Sequence, residues 1–327
     1  MSLEPFILGV NYWPRRKAMY WWSDFDPGEV RDEFDVIRDL GLRLVRIFLL
    51  WEDFQPAPAS VNPQALDHLG HVCDIALERE LQLDVTFFTG HMSGPSWVPG
   101  WMLRSGLPVP PRVRQVVSGG RAVDRGYVNP FTDPIALVAS ELLLRTVVTR
   151  FKDHPAVGLW NLGNEPDLFA WPPTAIEGRA WVARMTTLIR GIDPRHPVAC
   201  GLHMANLVQD NGLRVNDVFA EVDTAVMHGY PMYADWAIGP LDPDFVPFLC
   251  ADHCLVRQTD PHGRIRRLHG RAGPIVVRQG VDELREAKAP VHGLGRGFGG
   301  VLRKSVTQAG RGGCIGSLGL VLRRLCA

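Results

Sequence analysis

The chain has 327 residues, 46% of them hydrophobic and 21% charged, with 35 basic and 35 acidic side chains. That is enough for one large domain with a deep core. The even charge balance argues against nucleic acid or an anionic membrane as a partner, and no apolar run reaches membrane-spanning length. The stretch Met1 to Pro5 has neither a basic n-region nor an apolar h-region, so the expected location is cytoplasmic.

Phe6 to Trp13 predicts a first strand. Asp26 then caps a helix with Pro27 at its first position, running through Val30, Phe34, Ile37 and Leu40 to Gly41. Leu42 to Trp51 predicts a second strand, and Asn62-Pro63 opens a second helix through Leu66, Leu69, Val72, Cys73, Ala76 and Leu77. A third strand follows over 81–89, a third helix over 134–151 and a fourth strand from Ala156. A fourth helix over 175–192 and strands over 197–204 and 224–230 complete the series. Six such units predict an α/β fold, a (β/α)8 barrel, over residues 1–250. No glycine-rich phosphate loop follows the first strand, which weakens a dinucleotide-binding alternative.

The fourth strand is the most informative. Trp160-Asn161-Leu162-Gly163-Asn164-Glu165-Pro166 ends a buried apolar run in an amide and a carboxylate, and Pro166 starts a loop. Barrel enzymes place their chemistry at this C-terminal lip. A carboxylate there suits a proton donor to a sugar leaving group. Every other strand also ends in polar or aromatic groups: Asn11 and Trp13; Arg46, Trp51 and Glu52; His91; His203; His228 and Tyr230. Indole faces among them suit pyranose rings. The expected partner is an oligosaccharide, polysaccharide or glycoside. Neither metal nor organic cofactor is expected, since Cys250-x3-Cys254 lacks the second half of a metal clip.

Arg46 after the second strand, Asn164-Glu165-Pro166 after the fourth and His228-Gly229-Tyr230 after the sixth resemble the clan A glycoside hydrolases. The nearest pattern is glycoside hydrolase family 5, the cellulase and β-mannanase group. The resemblance covers residues 5–250. It implies a (β/α)8 barrel and retaining hydrolysis of β-linked gluco- or manno-configured sugars. Glu165 would be the general acid/base and Asn164 the contact to the 2-hydroxyl. Arg46 and Tyr230 would hold a nucleophilic carboxylate, with His228, Trp13, Trp51, Glu52 and His91 as substrate contacts. Gly9-Val10-Asn11-Tyr12-Trp13-Pro14 leaves open a β-galactosidase-like member of the clan. A sugar-binding protein without catalysis is the remaining alternative.

Retention requires a second carboxylate on strand seven, about 5 Å from the first. No such strand follows Cys250, so the nucleophile is expected to be absent and strands seven and eight lost. Glu283 and Glu286 sit in a helix-like run instead. The composition breaks at the same place. Residues 1–250 carry 30 acidic against 21 basic side chains, whereas 251–327 carry five against 14, with 14 of the 33 glycines and no Trp or Tyr. Such a reversal suggests an Arg/Gly-rich tail, not a domain. A shifted reading frame accounts for it. His262-Gly263-Arg264-Ile265-Arg266 can be encoded CAT GGA AGA ATT CGG, which from the second base gives Met-Glu-Glu-Phe-Gly, similar to the family's nucleophile strand. In the same frame, residues 299–308 can give Ala-Glu-Tyr-Tyr-Glu-Lys-Val-Leu-Pro-Lys. Residues 317–326 can give Ala-Trp-Ala-Trp-Cys-Phe-Ala-Asp-Tyr, which restores an indole-bearing eighth strand.

Overall fold

Four long helices begin where the sequence supplies caps. Side-chain oxygens of Asp26, Asn62, Asp133 and Thr174 accept first-turn N–H groups of α1 (Pro27–Asp39), α2 (Pro63–Glu78), α3 (Pro134–Phe151) and α4 (Ala175–Ile192). The first three carry Pro at the opening position, where a missing N–H costs nothing. The computed structural model describes residues 7–249, together with the backbone of Ile275–Arg278 and Gly319–Leu322.

Between the helices run six parallel strands: β1 (Gly9–Tyr12), β2 (Leu44–Leu50), β3 (Gln82–Thr89), β4 (Val157–Asn164), β5 (Val198–His203) and β6 (Thr224–His228). Each pairs with its successor in the series, in parallel. All seven residues of β2 are buried, because helices cover one face and the barrel interior the other. Leu44, Leu159, Ala199 and Val226, joined by Ile7, form a separate apolar cluster among the strands, apart from the main core under the helices. This is the expected α/β barrel architecture.

The sheet continues through Ile275–Arg278 (β7), parallel to β6, and Gly319–Leu322 (β8), antiparallel to β7. An antiparallel eighth strand departs from (β/α)8 order. The expected loss of strands seven and eight, the absent nucleophile and the shifted frame otherwise concern positions outside the described residues, as do Glu283, Glu286 and the Cys250–Cys254 pair.

Three local features differ from the sequence expectation. Trp51 starts a helical turn, Trp51–Phe54, instead of ending β2. Pro166 likewise opens a helical turn, Pro166–Phe169, because its fixed φ suits a first helical position. A small sheet of Ser96–Trp97, Val116–Ser118 and Arg121–Val123 fills the excursion between β3 and α3. Strands of two or three residues are too short to show alternation. A fifth helix, α5 (Val215–Glu221), is also short, at seven residues. No helix among the described residues is long and apolar enough to cross a membrane.

Candidate active site

The site begins one layer below the lip, in buried polar residues that the strands hold in register. Arg46 faces Asn11 on one side and Asp84 on the other. Its guanidinium is 1% exposed. Nε donates to Thr86 Oγ1 at 2.6 Å, Nη2 to the Gly163 carbonyl at 3.0 Å and Nη1 to Asn164 Oδ1 at 2.9 Å. Asp84 stands 3.9 Å from Nε and accepts from the Thr86 hydroxyl and from Asn161 Nδ2. A buried guanidinium needs such neighbours, since an uncompensated charge in the core is strongly destabilising. Sequence reasoning named Arg46 but missed Asp84 and Thr86. Their signal was two polar side chains at alternate positions of an apolar strand.

Asn164 is the last residue of β4. While Oδ1 accepts from Arg46, Nδ2 donates to the His91 carbonyl at 2.9 Å. Glu165 follows in the left-handed region, φ 48° and ψ 56°, a conformation costly for a residue with a Cβ. Bonds on both sides hold it there: its N–H donates to the Gly201 carbonyl at 2.8 Å, and its own carbonyl accepts from Leu168 N at 2.8 Å. The turn re-aims the carboxylate toward β6, where His228 Nδ1 lies 2.8 Å from Oε1. His228 Nε2 is 3.3 Å from Arg46 Nη1. A guanidinium can only donate, so Nε2 accepts and the ring proton sits on Nδ1, donating to Glu165. Arg46, His228 and Glu165 thus form one directional chain of hydrogen bonds.

Gly201 makes this approach possible. A Cβ there would lie 2.8 Å from His228 Nε2 and 3.2 Å from Arg46 Nη2.

Burial alone would raise the Glu165 carboxyl, but the His228 hydrogen bond and the neighbouring His228, His203 and His91 rings outweigh it, bringing it down to about 2. His91 Nε2 stands 3.8 Å from Oε2. Burial pulls His91 below its ordinary value against the attraction of Glu165, so near neutral pH this contact is not an ion pair. Asp167, two residues on, is 1% exposed; burial first, then the charge of Glu165, raises its carboxyl well above the ordinary range. Its Oδ1 accepts from His203 N at 3.2 Å, and among the described residues Oδ2 has no hydrogen-bond partner. Asp167 also escaped sequence reasoning, because a residue after Glu-Pro looks like ordinary turn polarity.

The structure therefore brings Arg46, His91, Asn164, Glu165 and His228 together. The other named residues take different places. Trp51 is buried, with Nε1 donating to Gln55 Oε1. Glu52 accepts from Gly119 N at 2.8 Å, and burial raises its carboxyl. Trp13 packs against Phe48, and Tyr230 packs against Tyr233 and donates its backbone N–H to Met204 Sδ. No metal-holding cluster of His, Cys, Asp and Glu occurs among the described residues.

Comparison with known proteins points to the same fold. Residues 115–239 match the sequence family "Glycosyl hydrolases family 2, TIM barrel domain". A probable mannan endo-1,4-beta-mannosidase F of Aspergillus flavus is 28% identical over 120 residues, 33% of this chain and 25% of that protein. The GH5_18 protein of Streptomyces cattleya, solved in complex with Manβ1-4GlcNAc, superposes with a TM-score of 0.59 at 26% identity, covering 69% of this chain and 52% of that one. An exo-beta-1,4-mannosidase from Opitutaceae bacterium strain TAV5 superposes with a TM-score of 0.66 at 25% identity, covering 85% of this chain and 46% of that one. The chain thus spans a quarter of that curated relative and about half of these structural neighbours. By fold and by these matches the chain is similar to the barrels of the clan A glycoside hydrolases. Within that class the chain resembles the family 5 mannanases.

Proposed function

We propose that this protein is built to hydrolyse β-linked mannosides by a retaining double displacement, with Glu165 as general acid/base. The observation that carries this is Glu165 itself, held by a strained turn at the lip of β4 and bonded to His228. Asn164 has one N–H beyond that given to His91, which suits a contact to the sugar 2-hydroxyl. The family resemblance assigns Arg46 and Tyr230 to orient a carboxylate arriving from strand seven, and of the two it is Arg46 that adjoins Asn164 and His228. The manno configuration follows from the relatives, which are mannosidases or hold a mannosyl disaccharide.

An acid at about 2 is ionised at neutral pH and cannot give a proton to a leaving group. A nucleophilic carboxylate about 5 Å away would raise it, as like charges do. We assign that carboxylate to the second Glu of Met-Glu-Glu-Phe-Gly, encoded across His262–Arg266 in the shifted frame. The chain as written is therefore expected to lack ordinary turnover.

Chemical rescue tests this on the chain itself. Given 2,4-dinitrophenyl β-mannoside and azide, azide nitrogen attacks C1 from the α face while the bond to the phenolate oxygen breaks. The expected product is α-mannosyl azide, with no release of mannose when azide is left out. The frame-restored protein should cleave mannobiose with retention. There Glu165→Gln should lose about 10²–10⁴-fold, the usual contribution of a positioned acid. Absence of glycosyl azide together with an inert frame-restored protein would refute the proposal.

A further inference from the structure

Between β3 and α3, residues 103–126 carry five arginines against one acid, Asp124. Residues 1–250 as a whole carry nine more acids than bases, so this stretch reverses the charge of the body it sits on. Elsewhere on the described surface several arginines have carboxylate partners, Arg150 with Asp67, Arg179 with Glu221, Arg184 with Glu141, Arg190 with Asp223 and Arg214 with Asp210, while Arg16, Arg31, Arg43 and Arg145 stand apart from one another along the chain. Among the described residues no ion pair involves Arg104, Arg112, Arg114, Arg121 or Arg125.

Two of them connect to segments that hold Glu165 and His91. The Arg112 guanidinium lies 4.0 Å from the centroid of the Trp171 ring, and Nη1 donates to Gln209 Oε1 at 3.0 Å. An indole face and an amide oxygen orient the guanidinium plane without neutralising its charge. Trp171 is in turn tied to the turn that presents Glu165, since its Nε1 donates to the Asp167 carbonyl at 2.8 Å. Arg114 precedes Gln115, whose carbonyl accepts from Ser96 N at 2.8 Å, and Ser96 forms a β-bridge with His91, whose ring is 3.8 Å from Glu165. At its far end the excursion is fastened to the lip of β2 through Gly119 N and Glu52.

We propose that this excursion is an anion-recognising rim of the sugar site, and that Arg112 and Arg114 bind a carboxylate carried by the saccharide on its leaving-group side. The side follows from Glu165: a proton donor stands beside the leaving oxygen, so the groups continuing from it around the lip face the leaving sugar. The carboxylate follows from the guanidinium fork, which matches its two oxygens. This placement rests on the glycosidase function proposed above.

Calorimetric titration of the full chain with mannotetraose and with mannotetraonate, the same saccharide oxidised to a terminal carboxylate, tests the rim. At about 20 mM salt the acid form should bind about tenfold more tightly, a charge-assisted fork being stronger than its neutral counterpart. The preference should shrink to under about threefold near 0.3 M salt, where exposed charges are screened. Arg114→Gln and Arg112→Gln should each remove most of it and leave neutral mannotetraose binding in place, whereas Arg150→Gln should leave the preference intact. Equal affinities for the two saccharides with normal mannotetraose binding would overturn the rim alone. So would a preference that survives in the doubly substituted protein, or tighter binding of a tetranucleotide than of mannotetraonate. Failure of both saccharides to bind would overturn the rim and the sugar site together.

Discussion

Glu165 is held by its backbone as much as by its side chain. A non-glycine residue at φ 48° persists only because bonds on either side enforce it. Asp167 adds a further tie, joining the same turn to His203 N on β5. Burial and the charge of Glu165 raise its carboxyl well above the ordinary range, which favours the neutral form, and an amide copies the shape and neutrality of that form. Asp167→Asn should therefore keep the Glu165 turn, while Asp167→Ala removes the acceptor and leaves a cavity. The expected outcome is near-wild-type melting for Asn and a loss of about 1–3 kcal/mol for Ala. With Glu165 carboxyl-labelled for NMR, Asn should preserve its titration near 2 and Ala should move it upward. A shift as large in Asn as in Ala would show that Asp167 works as a charge.

At the scale of elements, the caps decide where helices begin, and they were legible because each is a local pattern. Asp133 accepts Ala136 N at the head of α3, whose buried face includes Leu143, Leu144, Val147 and Val148. Asp133→Ala should cost about 1 kcal/mol, or about 2–4 °C in melting temperature for a domain of this size. An unchanged melting curve would mean the α3 terminus contributes nothing to cooperative unfolding. What sequence conveyed poorly were interactions between elements. Arg46 stood out as a cation inside an apolar strand, yet nothing local announces that Thr86 and Asp84 meet it from β3. Trp51 looked like a sugar platform at a strand end. A helical turn at Trp51–Phe54 instead rotates the indole into the core, toward Gln55 and Trp101. Asn164, Glu165 and His228 were legible because strand ends in a barrel converge whatever the loops do.

At the scale of the whole molecule, the site is arranged to keep one acid ionised. His228, His203 and His91 all favour the ionised form of Glu165. A carboxyl lowered from 4.5 to about 2 stabilises the fold above 4.5, and that contribution is lost as pH falls toward 2. In the chain as written, acid unfolding over this window should therefore be shallower in Glu165→Gln, which has no proton to take up there. Frame restoration reverses the electrostatics. A second carboxylate across the cleft repels Glu165, so the pair must titrate in two steps, one of them raised above the ordinary value. The frame-restored protein should accordingly show an upper apparent pKa above 4.5, assigned to Glu165 by its disappearance in Glu165→Gln. It should also show a hydrolytic rate that falls as pH rises through that value. If Glu165 still titrates near 2 in the frame-restored protein, its proton is not set by a partner from strand seven, and the double displacement loses its second acid.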